Sequence, residues 1–436
     1  MMRYLAGLLL VVGPIACTEV PTAPGACPTF CPNGSIESTD TILTDVIVRD
    51  SSYRGYVQPY QAEAMTATDI PGVIDSRAFF VTNKMFRTVV SGLPGDTVQR
   101  PISIDSVRLR LTIMRRDTGA TNLRLRVYSL PVTSDSNSTF QTLDPYFTSA
   151  PIDSFNISAI LAKAPITDTV TKRMWGDSIW TDSAGHTITV ADSGRILHLY
   201  WRFDTLQVPL VDADSNEVGM GIRVAADSLA SVSITALGST TTDHPQLTWY
   251  YQFTVRDTAS GKDSVHIGAQ TLAPQFNSFV FNPPLPPLDS NLVVGGVPSA
   301  RSLLRVALPA YLKDSVDIVR ATLILVPVEA VRGAPADSFQ IRSVGVLADV
   351  GAKSPNTGVT TGKVTIHMNA PDTVRMELTD LVRNWVTDTT QTRAFMLGQV
   401  PEAASYTQMR FYSSRTPAFR PGLHITYVKR YPFGRQ

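Results

Sequence analysis

Ser106-Val-Arg-Leu-Arg-Leu-Thr-Ile113 alternates polar and apolar residues without a break. Successive side chains of a β-strand point to opposite faces, so this stretch reads as a half-buried strand with its arginines on the solvated side. The same period of two recurs in Leu123–Val127, Val218–Val224, Val232–Leu237, Ala321–Val326, Phe339–Val344, Lys363–His367 and Leu423–Val428. Pro, Gly and Asp-Ser pairs separate the runs. Many short strands joined by such turns predict an all-β chain of antiparallel, jelly-roll-like β-sandwiches. Composition agrees. There are 30 Asp against 7 Glu and 30 Arg against 8 Lys. Asp prefers caps and turns, whereas Glu and Lys favour helices, so a mostly helical chain is excluded. The net charge of +1 over 436 residues gives no global field for a nucleic acid partner.

The alternation is organised in two similar halves. Ser76–Val81, Asp105–Leu111 and Leu123–Leu130 open the first; Ala300–Val306, Asp317–Leu325 and Phe339–Leu347 open the second. The ends also correspond, His244–Tyr250 against Arg420–Tyr427. Two tandem sandwiches are therefore expected at 44–253 and 263–428, with a linker at 254–262 and a tail at 429–436. One short helix is expected near 377–386. There Leu378, Leu381, Val382 and Trp385 share a face at i, i+3, i+4, i+7, with Trp385 as a core plug.

The N-terminus carries a different signal. Arg3 precedes the apolar run Leu5–Gly13, which is too short to span a bilayer and fits a secretory signal peptide over 1–16. The run ends in Pro14-Ile15-Ala16-Cys17, which resembles the lipobox of bacterial lipoproteins. The resemblance implies that Cys17 carries lipid and anchors the chain in a membrane. Pro14 and Ile15 depart from the usual pattern, and cleavage near Ala16 into a free secreted chain is the alternative. Thr18 follows Cys17; by resemblance to lipoprotein sorting, the lack of Asp there implies the outer membrane. With Cys17 set aside, Cys27 and Cys31 remain, either as a disulfide, as two unpaired thiols or as half a metal site. Residues 17–43, rich in Pro, Thr, Gly and Ser over most of their length, read as a flexible tether.

The second half resembles the DNRLRE-type domain, a carbohydrate-binding-module-like β-sandwich of secreted surface proteins. The likeness rests on Ala300-Arg-Ser-Leu-Leu-Arg-Val306, Ile318-Val-Arg-Ala-Thr-Leu323, Met376-Glu-Leu-Thr-Asp-Leu-Val-Arg-Asn-Trp385, Phe411-Tyr-Ser-Ser414 and Pro421-Gly-Leu-His-Ile-Thr-Tyr427, in that order. Leu308-Pro309 and Glu377 depart from the family pattern, and the first half matches only at its ends. Glycan binding is what the resemblance implies; it carries over no ligand residue.

Catalytic motifs were sought among the same residues. The six His form no pair suited to a metal, and there is neither a Gly-x-Ser-x-Gly elbow nor a phosphate-cradling Gly-Lys loop. No cofactor is expected beyond a structural calcium. Asp212, Asp214 and Asn216 begin a calcium-like loop, but the later Gly and Glu are missing, and a hairpin turn explains the segment equally. Tyr53, Tyr56 and Tyr60 cluster in a loop-like stretch and are candidates for stacking on sugar rings or for capping a sandwich end. The sequence thus predicts a non-enzymatic envelope lipoprotein that binds or organises polysaccharide or surface proteins. An accessory subunit or enzyme acting on polysaccharide and a purely structural spacer are the alternatives.

Overall fold

The computed structural model describes residues 38–91, 96–115, 120–162, 178–181, 187–192, 197–204, 216–239, 243–256, 261–331 and 338–430. The segment expected as a signal peptide, Cys17, Cys27, Cys31, Asp212 and Asp214 lie outside the described residues. The chain is mostly strand. It begins with β1 (Ser38–Leu43) and β2 (Ile47–Arg54). Then follow β3 (Ala64–Ile70), β4 (Ile74–Thr82), β5 (Thr88–Val89), β6 (Arg100–Pro101), β7 (Ser103–Arg115), β8 (Arg124–Leu130), α1 (Phe140–Phe147), β9 (Asp153–Asn156), α2 (Ser158–Ala162), β10 (Ser178–Thr181), β11 (Thr187–Asp192), β12 (Leu197–Asp204), β13 (Gly219–Ala225), β14 (Ala230–Thr235), β15 (Gln246–Arg256), β16 (Asp263–Leu272) and β17 (Pro274–Asn282). The remainder is β18 (Leu292–Gly295), β19 (Ala300–Val306), α3 (Tyr311–Asp314), β20 (Val316–Leu325), β21 (Ser338–Val346), β22 (Asn356–His367), β23 (Val374–Glu377), α4 (Thr379–Thr387), β24 (Ala394–Gln399), β25 (Gln408–Phe411) and β26 (Gly422–Lys429).

These strands pair antiparallel around two large hydrophobic cores. In the first sandwich one layer runs β11-β12-β7-β15-β16 and the other β14-β3-β4-β13-β8-β9, with β17 on the far side of β4. Val107, Leu109, Leu111 and Ile113, the apolar half of the alternating stretch, are fully buried between them. Burying such a side chain contributes about 1.5–3 kcal/mol, which is why the alternation fixes the strand's orientation. The second sandwich sets β1-β26-β20-β23 against β22-β21-β24-β19-β18-β25, with β2 on the far side of β19.

The two sandwiches share one connectivity. β3, β4, β7, β8, β9, β12, β13, β14 and β15 correspond in order to β18, β19, β20, β21, β22, β23, β24, β25 and β26 and share most neighbours, the β7–β14 and β11–β12 ladders of the first sandwich being additional. The two closing strands break the sequence order. β16 beside β15 and β17 beside β4 occupy the places that β1 beside β26 and β2 beside β19 occupy in the second sandwich. Each sandwich is therefore closed by the strand pair that precedes the other in the chain.

This pairing redraws the boundaries expected at 44–253 and 263–428. Residues 38–54 belong to the second sandwich and residues 263–282 to the first. The expected linker at 254–262 joins two paired strands, and the chain crosses between sandwiches at 55–63 and again in the Pro-rich stretch 283–291. The expected tether is also shorter, since residues 38–43 form β1. Polar chemistry explains the assignment of β2. Asp50 is buried, and its carboxylate accepts the Ser414 N–H at 2.6 Å and faces Arg415 Nη2 at 3.3 Å. Ser52 Oγ accepts the Val293 N–H at 2.8 Å, and Arg54 Nη2 donates to Gln408 Oε1 at 2.8 Å. A buried carboxylate without such donors would cost several kcal/mol, so β2 is held where its partners are.

The amphipathic segment near 377–386 is α4, with Leu378, Leu381, Val382 and Trp385 buried and the Trp385 ring 6.2 Å from Phe395. One helix was expected, and four α-helices are present among the described residues. α1 was missed because its start rests on a local cap, the Thr139 hydroxyl accepting from the Thr142 N–H, and it carries Pro145 inside. It survives by burying Leu143 and Phe147 against Phe79, Tyr128 and Leu130.

Candidate functional site

The polar half of the stretch that decides the fold builds a cleft. Outward from β7 point Ser106, Arg108 and Arg110. Register aligns Arg108 with Arg202 of β12 and Thr248 of β15, and Arg110 with Tyr200 and Gln246. On β12, Leu199 and Trp201 are buried, which turns Tyr200 and Arg202 to the same outer face. Across β15, Tyr250 lies opposite Ser106, next to a bulge at Tyr250/Tyr251 that re-aims the following residues.

The result is a cleft of about 600 Å³ on the outer face of the first sandwich. The Arg108 guanidinium stands between two rings, 5.2 Å from the centre of Tyr200 and 5.5 Å from that of Tyr250. Such a cation–π sandwich fixes the arginine and both rings. Arg202 donates to Ser106 Oγ at 3.0 Å, while Asp105 and Thr189 add oxygen acceptors at the rim. One wall is the edge strand β16. Gly268 is required there, because a Cβ would meet the Tyr251 ring at 2.6 Å. Among the described residues lining the cleft, Asp105 is the one carboxylate.

Two histidines mark the other end of this face. Thr112 Oγ1 lies 3.0 Å from His198 Nδ1, and the His244 carbonyl accepts from Arg110 Nη2 at 3.4 Å. Burial pushes both imidazoles below their ordinary pKa; the Arg110 charge works in the same direction and Asp243 against it.

The tyrosines singled out from the sequence lie elsewhere. Tyr53, on β2, packs half-buried on Leu303, Val346, Ala394 and Met396. The Tyr56 hydroxyl donates to the Ala352 carbonyl at 2.7 Å, and the Arg301 guanidinium sits 4.4 Å from its ring centre. Burial raises the Tyr56 pKa, with Arg301 opposing. Tyr60 remains exposed, its ring 6.0 Å from Phe276 of β17. Of the calcium-like segment, Asn216 is described; its side-chain oxygen accepts from Arg87 Nε, and its φ of 58° marks a turn. Among the described residues no group of three His, Cys, Asp or Glu is placed to hold a metal, and no helix is long and apolar enough to cross a membrane.

Sequence reading missed Tyr200, Arg108 and Tyr250 as a set. The signal was present in Leu197-His-Leu-Tyr-Trp-Arg202 and Leu247-Thr-Trp-Tyr250, whose alternation puts aromatics on the outer face. Which strands lie side by side is a matter of register, and that is not written locally. Comparison with known proteins adds no name: no family model matches the chain, and neither does any curated protein.

Proposed function

We propose that this chain is a non-enzymatic binding protein of the cell envelope that holds a glycan on the tyrosine–arginine face of its first sandwich. The observation that carries this reading is Arg108 clamped between Tyr200 and Tyr250 over an open cleft with a polar rim. Aromatic faces take the apolar faces of sugar rings, while Arg202, Asp105 and Thr189 offer donors and acceptors to hydroxyls. The site rests on strands, so its geometry is formed before the ligand arrives. The DNRLRE resemblance points to the same ligand class. Anchorage through Cys17 belongs to this proposal, and Cys17→Ser is expected to release the protein from membranes.

The test is a glycan array with the full chain, followed by titration of the best hit. Tyr200→Ala and Tyr250→Ala should each weaken binding by roughly tenfold, the equivalent of ~1.4 kcal/mol. Array silence would sink this reading. It would leave a surface assembly component, a second reading favoured by one observation. Among the described residues β16 is paired by β15 alone, as an edge open to strand addition requires, and its Val265 and Ile267 are 65% and 83% exposed.

A further inference from the structure

The closing strands obey one rule around the chain. The pair β16–β17 precedes the second sandwich and closes the first, and the pair β1–β2 precedes the first and closes the second. Each pair is joined to the sandwich it precedes by nine residues, 55–63 and 283–291. The molecule is thus a reciprocal strand exchange between the two halves of one chain. An exchange of this kind also runs between identical copies, because the acceptor reads the donated strands and not the chain they come from.

Among the described residues, the hydrogen bonds of 38–54 lie with the second sandwich and the 283–291 crossing. The ladders of β1 and β2 run to β26 and β19, Asp50 accepts from Ser414, and Arg54 donates to the Pro286 carbonyl and Gln408 Oε1. The Ser299 carbonyl then accepts from the Gly55 and Tyr56 N–H groups at 3.0 and 3.3 Å, and the Ser299 N–H donates to the Val57 carbonyl at 2.9 Å. Ala62, in contrast, is buried in the first core, and the Glu63 carbonyl accepts from the Ala236 N–H at 2.9 Å. Between these two anchorages lies one turn, residues 58–61. It is closed by the Gln61 N–H on the Gln58 carbonyl at 2.9 Å and by the Gln58 N–H on Gln61 Oε1 at 3.1 Å. Opening this turn costs local bonds and the packing of Tyr60 on Phe276 and of Val57 on the first core, but no strand ladder. Extended, nine residues reach about 30 Å, enough to enter the second sandwich of a neighbouring copy.

We infer that residues 38–54 are an exchangeable donor, and that the second sandwich accepts the same strand pair from a second copy of this chain. The product is a twofold dimer in which each chain closes the other, with residues 58–61 as the hinge and the 283–291 crossing unchanged. Monomer and dimer make the same strand contacts, so concentration decides between them. The single chain holds its own pair at an effective concentration of about 1 mM, and the dimer prevails where copies are packed more densely than that.

Refolding the full chain from denaturant at about 1 µM and about 1 mM, followed by light scattering on a size-exclusion column, tests this. Monomer is expected at the lower concentration, and the dimer fraction should rise at least tenfold at the higher. Exchange is then separated from edge pairing through β16 by a covalent trap. Register sets residue 40 opposite residue 426. Two copies carry Cys17→Ser, Cys27→Ser and Cys31→Ser; one adds Asp40→Cys and the other Thr426→Cys. Refolded together at the higher concentration and oxidised, they should form a disulfide between chains. Deleting Gln58–Gln61 forces together two residues anchored on different sandwiches, so the closed chain must give up one anchorage. The deletion should raise the dimer fraction at least tenfold at the lower concentration. Monomer alone at both concentrations would overturn the inference. A dimer that forms no disulfide would do the same, as would a deletion variant no more dimeric than the full chain. Glycan binding by the tyrosine–arginine cleft is independent of every outcome, since β7, β12 and β15 stay in one chain.

Discussion

The first sandwich has a broad outer layer and the second a narrow one, although their strands connect in the same order. In the first, β12 runs beside β7 for eight residues, Leu197–Asp204, and β11 continues the sheet beyond it. In the second, the equivalent β23 runs beside β20 for four, Val374–Glu377. α4 follows it and buries Trp385 in the core. The extra sheet width is what places Tyr200 next to Arg108 and makes an open cleft there. The second sandwich instead carries Arg342 on the opposite layer, without an ion pair among the described residues. One connectivity thus supports two different outer surfaces, because strand order is set by the cores and surface chemistry by residues the cores do not constrain.

The sharpest way to break this comparison is to remove the exchanged strands. Without residues 38–54 the second sandwich loses β1 and β2, the buried Asp50 network and the core residues Val46 and Ile47. Truncation to residues 57–436 should leave the second sandwich unfolded and the first largely folded. Near-ultraviolet circular dichroism should then show the loss, and adding a peptide of residues 38–56 should restore it. An unfolding transition identical to that of the full chain would show that the exchange contributes nothing.

That same exchange marks the limit of what could be read from the sequence. Ser106–Ile113 announces a strand and its buried face because half of its side chains are apolar at period two. Leu378 to Trp385 announces a helix for the equivalent reason. Neither β1 nor β16 says which sandwich it joins. Both are strands of largely exposed residues, and either could extend either sheet by backbone hydrogen bonds alone. The choice is made at a distance, by Asp50 meeting Ser414 and by Phe279 entering the first core. The candidate cleft was hidden for the same reason: its residues come from β7, β12 and β15, far apart in the chain and adjacent through register.

A smaller effect separates two arginines, one in each sandwich. Arg77 is 3% exposed, pairs with Asp75 and Asp144, and has the Phe140 ring 4.1 Å from its guanidinium carbon. Arg77→Gln breaks its pairs with Asp75, which keeps Arg223, and with the exposed Asp144, and should cost about 1–3 kcal/mol. Arg342→Gln, on β21 of the second sandwich, breaks no ion pair among the described residues and should stay within about 0.5 kcal/mol. Denaturant titration of the two variants would measure the difference, and equal losses would mean that Arg342 has a partner after all.

The smallest contrast is in pH. The His198 and His244 imidazoles, held below their ordinary pKa by burial, are in the first sandwich. Above about pH 6.5 they are neutral in both folded and unfolded chains and contribute no pH dependence. As pH falls below that value the unfolded chain binds protons that the folded one resists, so folding stability declines until the folded imidazoles are themselves protonated. In the second sandwich Asp349 is among the perturbed groups. Arg305 donates to Asp349 and holds its carboxyl below the ordinary range, so stability from that pair persists down to about pH 4 and is lost below it. Between pH 7.5 and 5.5 the first sandwich should therefore lose stability while the Asp349 contribution to the second is unchanged. Replacing Trp385 with Phe removes a buried tryptophan of the second sandwich and keeps Trp201 and Trp249 of the first as reporters. Their fluorescence melt should shift down across that interval, and His198→Gln combined with His244→Gln should flatten the shift. A melt that stays put in the parent chain would place both imidazoles at their ordinary pKa and remove this distinction between the sandwiches.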